Sequence, residues 1–296
     1  MVTRLFQPRL LPYILLLLLA VPAFAASQPG QATVIKTQGT ASLVTKGGAK
    51  TPVTEGAKLG SGSGIQTGED GTVVVLFSNG STFTVEPDTA FRVDEFLQDP
   101  FDTAKTDFSK IEREPSTSQT KLQLTEGSIV ANVRKLNPGS KMEVGTPIGV
   151  AGIRGTIVRI TVTDNNGDIT VKIDLTNGSV VFEVIDGRTV NVRQDTTVII
   201  NLKKDRPEDI GIREIPLGPQ DANAINNTAN QSLNSIPDGA FSGDGGIPGF
   251  FTGDQGVGTV GQGFGGGGGS GGGNPSGQPT PTPAPTAVPT PPAPPS

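Results

Sequence analysis

The sequence predicts an all-β domain between residues 32 and 215, and three observations support this prediction. The region is rich in Val, Ile and Thr, which favour strands. It contains no segment with the apolar period of a helix. Asn-Gly and Asp-Gly dipeptides recur between the apolar segments, at 79–80, 166–167, 177–178 and 186–187. Such dipeptides tolerate the positive φ angles of a type I′ hairpin turn, so we expect many short strands joined by tight turns.

Repetition inside this region suggests how the strands are layered. Thr72–Phe77 and Ile169–Ile173 have the composition of strands. Leu124–Val133 aligns with Leu175–Val184, and Phe77–Val85 is a looser third copy. Each copy is predicted as strand, tight turn and strand. We therefore expect either a layered β-sandwich or a short β-solenoid of stacked hairpins.

The N-terminus has the order of a secretory signal peptide. Arg4 and Arg9 precede the apolar run Tyr13–Val21, and small residues follow at 23–26. The run is short for a membrane span, so we predict a signal peptide over residues 1–25, with cleavage after Ala26 or an uncleaved anchor as the alternatives. The mature chain would then be exported to the periplasm, the cell surface or the medium. Membrane contact is expected only through the signal peptide, if it is uncleaved.

Composition removes several classes of function. The chain of 296 residues has no Cys and no His, which excludes Ser-His-Asp triads, Cys-His pairs and metal sites built from imidazole or thiolate. A net charge of −5 argues against nucleic acid as a partner. We therefore expect a protein that is not an enzyme and carries no cofactor. Its partner is predicted to be a protein or an envelope component whose identity the sequence does not give.

Three further segments differ in composition from the β region. Residues 98–120 are polar and are predicted to form a surface excursion, with a binding loop as the alternative; Phe101, Phe108 and Ile111 either anchor it or form one amphipathic turn. Residues 216–238 are predicted to be a polar linker, within which a short helix over 221–233 is an option. Residues 239–296 are rich in Gly and then in Pro and Thr, which predicts a disordered tail.

The most informative motif is the stretch GTPIGVAGIRGTIVRI at residues 145–160. It resembles the signature of the FecR domain, and the candidate site consists of the residues that carry this resemblance: Thr146, Pro147, Val150, Ala151, Gly152, Ile153, Arg154, Gly155 and Thr156. Val158 stands where the family usually has an aromatic residue. Residues 59–72, 76–89 and 124–127 are similar to other FecR segments in the same order, so the resemblance spans about residues 33 to 200.

The resemblance implies a β-rich extracytoplasmic module. The best-known FecR proteins relay a siderophore signal from an outer-membrane transporter to a sigma factor, and most others have no assigned activity. Our first interpretation is a non-enzymatic binding or assembly module in the bacterial envelope or outside the cell. The alternative is an extracytoplasmic signal sensor that acts through a separate membrane partner, since only residues 1–12 precede the apolar run. A carboxylate-dependent hydrolase is a third alternative.

The glycines of the motif favour a structural role over phosphate binding. Gly149, Gly152 and Gly155 are three residues apart, but no helix pattern follows them, as a phosphate-binding loop requires. We expect Gly152→Val to destabilise the fold by crowding. Arg154 is expected to be a buried or half-buried ion-pair partner whose loss costs stability, with a ligand contact as the alternative.

Acidic residues provide only weak candidates for chemistry. Asp164 and Asp168 flank the Asn-Gly turn at 166–167 and have the oxygen ligands that calcium prefers, but no Glu follows at the spacing of an EF-hand. A hairpin loop explains them equally well, so no metal site is predicted. The carboxylates available to a hydrolase are Asp94, Glu95 and Glu126.

Overall fold

A computed structural model describes residues 27–241 of the chain. The predicted signal peptide and residues 242–296 of the predicted tail lie outside the described residues. Within residues 27–241 the protein has sixteen strands, one 3₁₀ helix and one α-helix. The prediction of an all-β fold is therefore confirmed. No helix in this part of the chain has both the length and the apolar character needed to cross a membrane.

The elements follow one another closely along the chain. The strands are β1 Gln28–Pro29, β2 Ala32–Gln38, β3 Ala41–Val44, β4 Lys50–Pro52, β5 Lys58–Leu59, β6 Ser63–Thr67, β7 Thr72–Phe77, β8 Thr82–Val85, β9 Ala90–Gln98, β10 Ser118–Asn132, β11 Lys141–Thr146, β12 Gly149–Asn165, β13 Asp168–Val184, β14 Thr189–Val192, β15 Thr196–Lys203 and β16 Arg206–Pro216. The 3₁₀ helix is Thr103–Lys105 and the α-helix, α1, is Pro219–Asn234.

The sixteen strands form one continuous hydrogen-bonded network, which folds into two sheets that share three strands. The first, which we call the exposed sheet, has the order β4-β3-β6-β9-β10-β11-β12-β13-β14, and β1 pairs with the end of β9. The second, which we call the covered sheet, has the order β5-β2-β7-β8-β10-β12-β13-β15-β16. All pairs are antiparallel except β10 with β11. Strands β10, β12 and β13 belong to both sheets.

Glycines allow these three long strands to pass from one sheet to the other. Gly127 in β10, Gly155 in β12 and Gly178 in β13 have φ angles of +85°, +63° and +88°, which favour glycine. Before each glycine the strand pairs in one sheet, and after it the strand pairs in the other. Corners of this kind are a known way to close a sandwich.

The corner at Gly178 corrects one predicted turn. Asn177-Gly178 is not a hairpin turn, because it lies inside β13, a single strand of 17 residues. The same correction applies to Gly127 in the first copy of the internal repeat, which bends β10 without reversing it. The repeat therefore marks two equivalent corners, whereas its third copy, at Asn79-Gly80, is a true hairpin between β7 and β8.

The remaining turns form as predicted. Asn166-Gly167 joins β12 to β13, and both residues have positive φ, at +58° and +96°. Asp186-Gly187 lies in the turn from β13 to β14, where the Gly187 amide donates to the Val184 carbonyl. Turn chemistry thus fixes the register of these hairpins.

The two sheets pack face to face over one aliphatic and aromatic core. Phe77 of the covered sheet lies edge-on to Phe96 of the exposed sheet, with ring centroids 5.2 Å apart. Phe83 of the covered sheet stacks on Phe91 of the exposed sheet at 5.9 Å. Side chains from both sheets join the same buried cluster. Of the two architectures that the sequence predicted, the protein therefore has the β-sandwich and not the β-solenoid.

The outer face of the covered sheet lies beneath α1. The helix contacts β8, β10, β12 and β13, and buries Ile225, Ala229 and Ser232 against them. Val130 of β10 packs on the first two, and the Ser232 hydroxyl lies 2.6 Å from the Thr82 hydroxyl. Residues 219–234 thus belong to the folded unit, where the sequence predicted a linker with an optional helix. The sequence of this helix shows no clear apolar stripe, because two of its three buried residues, Ala229 and Ser232, have small side chains.

The polar excursion between β9 and β10 covers the same face. Phe108 is fully buried and lies edge-on to Phe101 and to Phe241, with ring centroids 6.2 and 4.9 Å apart. Ile111 is partly buried in the same cluster, so the three predicted anchors do hold the excursion down. The Arg134 guanidinium donates to the Phe108 carbonyl, and desolvation lowers the pKa of this arginine.

Candidate functional site

The motif at residues 146–156 forms the β11–β12 hairpin and the first half of β12, in the exposed sheet. Its buried members support the fold. Ala151 and Ile153 point into the core, and the Thr146 hydroxyl donates to the Gly149 carbonyl at 2.8 Å across the turn. Gly155 forms the corner described above. These residues explain why the motif has small and apolar residues at alternate positions.

The other members of the motif face outward. Val150, Gly152 and Arg154 alternate with the core residues along β12, and Pro147 is exposed in the turn. Val150 is 38% exposed. The motif thus has two chemically different faces, of which one builds the sandwich and the other meets solvent.

Arg154 is exposed, which contradicts the expectation of a buried ion pair. It lies opposite Ser179 of β13, and its guanidinium has no hydrogen-bond or salt-bridge partner within residues 27–241. A buried arginine requires a partner, whereas an exposed one does not. The alternation along β12 places this side chain on the outer face, so its loss should cost little stability.

Gly152 is not crowded, which corrects the second expectation for this motif. A Cβ at this position would meet only the Val181 carbonyl oxygen, at the ordinary contact distance of 3.6 Å. Crowding occurs instead at Gly149, where a Cβ would meet the Phe182 ring and the Glu183 carbonyl. The missing side chain at 152 therefore leaves open space on the outer face of the sheet.

Residues that the sequence did not single out complete this surface. Lys141 of β11 and Arg154 line a groove of about 250 Å³ around Gly152. Val181 of β13, 38% exposed, lies opposite Gly152, and Ile185, 60% exposed, follows in the next turn. No sequence signal marked Lys141, since its role depends on the pairing of β11 with β12.

Exposed aliphatic side chains are concentrated here. Val150, Val181 and Ile185 are three of the four large hydrophobic residues that are exposed within residues 27–241. Val150 pairs with Glu183, whose exposed side chain lies between Val181 in β13 and Ile185 in the turn that follows. We name the surface formed by Val150, Gly152, Arg154, Lys141, Val181, Glu183 and Ile185 the motif face. Apolar groups beside unpaired cations are typical of an interaction surface.

The family comparison covers most of this domain. Residues 63–181 match the family model described as FecR protein. The chain therefore contains a FecR domain. The match begins in β6 and ends at Val181, so it includes the three sheet-switching glycines and all but Glu183 and Ile185 of the motif face.

Solved structures give a weaker likeness. A crystal structure of a candidate anti-sigma factor from Parabacteroides distasonis ATCC 8503, at 1.65 Å resolution, is 14% identical, with a TM-score of 0.40. The alignment covers 54% of this chain and 63% of that one, which is less than two thirds of its length. A second structure of a candidate anti-sigma factor from the same organism, at 2.50 Å resolution, has 14% identity, a TM-score of 0.39 and coverage of 54% and 62%. No curated protein matches the chain.

Other segments of the FecR resemblance converge inside the fold. The Thr67 hydroxyl donates to the Glu86 carbonyl at 2.7 Å, and it accepts from the Thr89 amide at 2.9 Å. The Thr89 hydroxyl in turn accepts from the Ser128 amide at 2.8 Å, beside the corner at Gly127. These buried threonines link β6, the β8–β9 turn and β10, which gives them a structural role in the FecR domain.

The acidic candidates are engaged in local contacts. Asp164 accepts from the Gly167 amide at 2.6 Å, as part of the hairpin turn. Asp168 accepts from Lys203 Nζ at 2.6 Å, and this hydrogen bond holds the pKa of Asp168 below its ordinary value. Within residues 27–241, no group of three or more Asp or Glu lies together in a way that could hold a metal ion.

The carboxylates considered for hydrolysis are also on open surface. Asp94 accepts from Arg92 Nε, and Glu95 lies 3.2 Å from Lys121 Nζ. Glu126 is exposed at the end of the half of β10 that belongs to the exposed sheet. Two of these three acids are thus neutralised by a cation, and the groove of the motif face contains none of them.

Proposed function

We propose that this FecR-domain protein is a non-catalytic, exported module that binds a protein partner in the bacterial envelope or outside the cell, through its motif face. The observation that carries the proposal is the combination of an unpaired Arg154 with three exposed aliphatic residues on one surface. An isolated exposed aliphatic residue needs no explanation, but a cluster of them beside a free cation is unusual for a soluble surface.

The chemistry of the chain supports a binding role over catalysis. The sequence has no His and no Cys, which removes the commonest general bases and nucleophiles. The signal-peptide pattern of residues 1–25 supports export to the periplasm, the cell surface or the medium. A rigid two-sheet scaffold with side chains presented from strands is well suited to positioning a binding surface.

The test is capture from an envelope fraction with the immobilised mature chain. We expect a discrete protein to be retained by the wild type and lost with Val181→Glu, which places a charge in the aliphatic cluster without entering the core. Lys204→Glu, in the β15–β16 turn, is the matched surface control and should retain the partner. Equal capture by the wild type and Val181→Glu would contradict the proposed role of this face.

A second candidate function is an extracytoplasmic sensor that acts through a separate membrane protein, and the FecR match favours it. The two candidates differ in the consequence of binding. A sensor should require Val181 for a transcriptional response in the source cell, measured by RNA sequencing of strains with wild-type or Val181→Glu protein. A module for assembly alone should change envelope composition and leave the early transcriptional response unchanged.

A further inference from the structure

The groove around Gly152 continues into two neighbouring depressions. Arg154 lines both the groove of about 250 Å³ and a second depression of about 450 Å³. Gly155 and Lys135 line that second depression and a third one of about 380 Å³. Because neighbouring depressions share Arg154, Gly155 and Lys135 in their lining, we treat the three as one trench that follows the motif along β12. An elongated trench fits an elongated ligand better than a compact ion.

Positive charge dominates this trench, although the chain as a whole has a net charge of −5. Its lining includes five cationic side chains and two carboxylates: Arg113, Arg134, Lys135, Lys141 and Arg154 against Glu112 and Glu143. Arg113 and Arg134 donate to backbone carbonyls, and Lys135 lies 4.0 Å from Glu112. Lys141 and Arg154 have no side-chain partner within residues 27–241 and are free to bind carboxylates.

The floor of the trench is apolar at one end and polar at the other. Leu136, Met142 and Ile153 line the groove beside Gly152. At the far end, the Thr156 hydroxyl is buried and has no hydrogen-bond partner within the described chain, although Thr156 lines the third depression. This hydroxyl has almost no accessible surface, so a ligand in the trench would bind mainly through the apolar end and the cationic side chains.

From these observations we infer that the trench along Gly152–Thr156 binds an extended, acidic peptide segment of the partner protein. This inference rests on the proposed function and names the chemistry of the partner at the same face. Carboxylates of the peptide would bind Arg154 and Lys141, and an apolar side chain would occupy the space over Gly152. Because successive side chains of an extended peptide alternate in direction, every second residue would face the trench.

The absence of a side chain at Gly152 then has a functional reason. Valine at this position would fill the groove from its floor without disturbing the sandwich, since the nearest atom to its Cβ is at ordinary contact distance. Gly152→Val should therefore separate binding from stability. If Gly152 served only to allow close packing of strands, Gly152→Val would lose binding and stability together.

The experiment is selection of a displayed random nine-residue peptide library on the wild-type chain, with depletion on a Gly152→Val, Arg154→Glu double variant. We expect the enriched peptides to carry Asp or Glu together with an apolar residue two positions away. A synthetic peptide from this set should bind at least tenfold more weakly to Gly152→Val and to Arg154→Glu, and its affinity should fall as salt is raised. Lys204→Glu should bind it like the wild type, and all variants should keep the thermal midpoint of the wild type.

Other results would overturn the inference. Enriched peptides without acidic residues, or no enrichment over the double variant, would contradict it even if capture of the envelope partner depends on Val181. Binding of the wild type to vesicles of anionic phospholipid, lost with Arg154→Glu, without any peptide enrichment would assign the trench to a membrane surface. If the wild type and Val181→Glu captured the envelope partner equally while the acidic peptide still bound in the trench, the proposed function would be refuted. The peptide site would then stand by itself.

Discussion

The outer faces of the two sheets differ in what lies over them. On the covered sheet, Val74 and Leu76 point away from the sandwich core and are still buried, because α1 and the 98–117 excursion pack over that side. On the exposed sheet, Val150 and Val181 also point away from the core but reach solvent. Similar strand sequences thus have opposite burial. The comparison shows that the motif face is the apolar surface for which the described part of this chain provides no cover.

Strand β12 has an arginine in each of these two environments. The first half of β12 presents Val150, Gly152 and Arg154 outward, and its arginine is unpaired. The second half presents Arg159, whose guanidinium lies 3.0 Å from Glu86 and is only 18% exposed. The corner at Gly155 separates the two halves. An arginine next to the covering elements is thus paired and partly buried, whereas the arginine of the motif face remains available to a ligand.

The largest expected effect is on the covering elements. Phe108→Ala removes a fully buried ring that contacts Phe101 and Phe241, and should lower the free energy of unfolding by about 3–5 kcal/mol. Val181→Ala on the exposed sheet should lower it by about 0.5 kcal/mol or less. Urea denaturation of both variants measures the difference. Equal losses would mean that the covered and exposed faces are not energetically distinct.

A corner glycine should matter more than the glycine of the groove. Gly178 has a φ of +88°, and a Cβ there would meet the Gly155 carbonyl, so Gly178→Ala should cost about 2 kcal/mol or more. Gly152→Ala should change stability by less than about 0.5 kcal/mol. The thermal midpoints of the two variants test this ranking. A clear loss of stability in Gly152→Ala would instead support the crowding at Gly152 that the sequence predicted.

A smaller effect is expected where α1 meets the covered sheet. Lys172 Nζ lies 3.0 Å from the fully buried Asp174 and 3.8 Å from Asp221 in the first turn of the helix. Lys172→Met removes the cation beside the Asp174 carboxylate, whose other oxygen accepts from the Thr197 hydroxyl, and should cost about 1–2 kcal/mol, since the lysine itself is partly exposed. A second change, Asp174→Asn, should recover part of this loss in a double-mutant cycle. Strict additivity of the two changes would argue against the pair.

The smallest effect concerns the excursion and depends on pH. The side chains of Lys110 and Ser109 hold the pKa of Asp107 at about 2, below its ordinary value of 3.8. The stabilisation from the ionised carboxylate is therefore present above about pH 4 and is lost as the pH falls through 2. The thermal midpoint of Asp107→Asn should lie slightly below that of the wild type at pH 6, and the two should converge as the pH falls below 2. A constant difference across this range would contradict the assignment.

Local sequence chemistry predicted much of the fold correctly. Asn79-Gly80, Asn166-Gly167 and Asp186-Gly187 form hairpin turns because their backbone preferences are local. The motif at 146–156 resembled the FecR signature closely enough to indicate the family that the comparison then identified. Buried Phe108 could also be anticipated, since three apolar residues in a polar loop need somewhere to pack.

Other features were decided by tertiary structure. Asn177-Gly178 has the chemistry of a turn, yet its neighbours β12 and β15 continue the ladder, so the glycine bends the strand instead of ending it. The helix at 219–234 is stabilised by contacts with β8, β10, β12 and β13, which a stripe of Ile, Ala and Ser does not reveal. Arg154 and Gly152 face solvent because α1 covers the other sheet. The sequence by itself determined the strand-forming segments, three of the four Asn-Gly and Asp-Gly turns and the FecR resemblance, because these depend on neighbouring residues. Only the packing of α1 and the excursion decided which face stays exposed, because burial depends on distant parts of the chain.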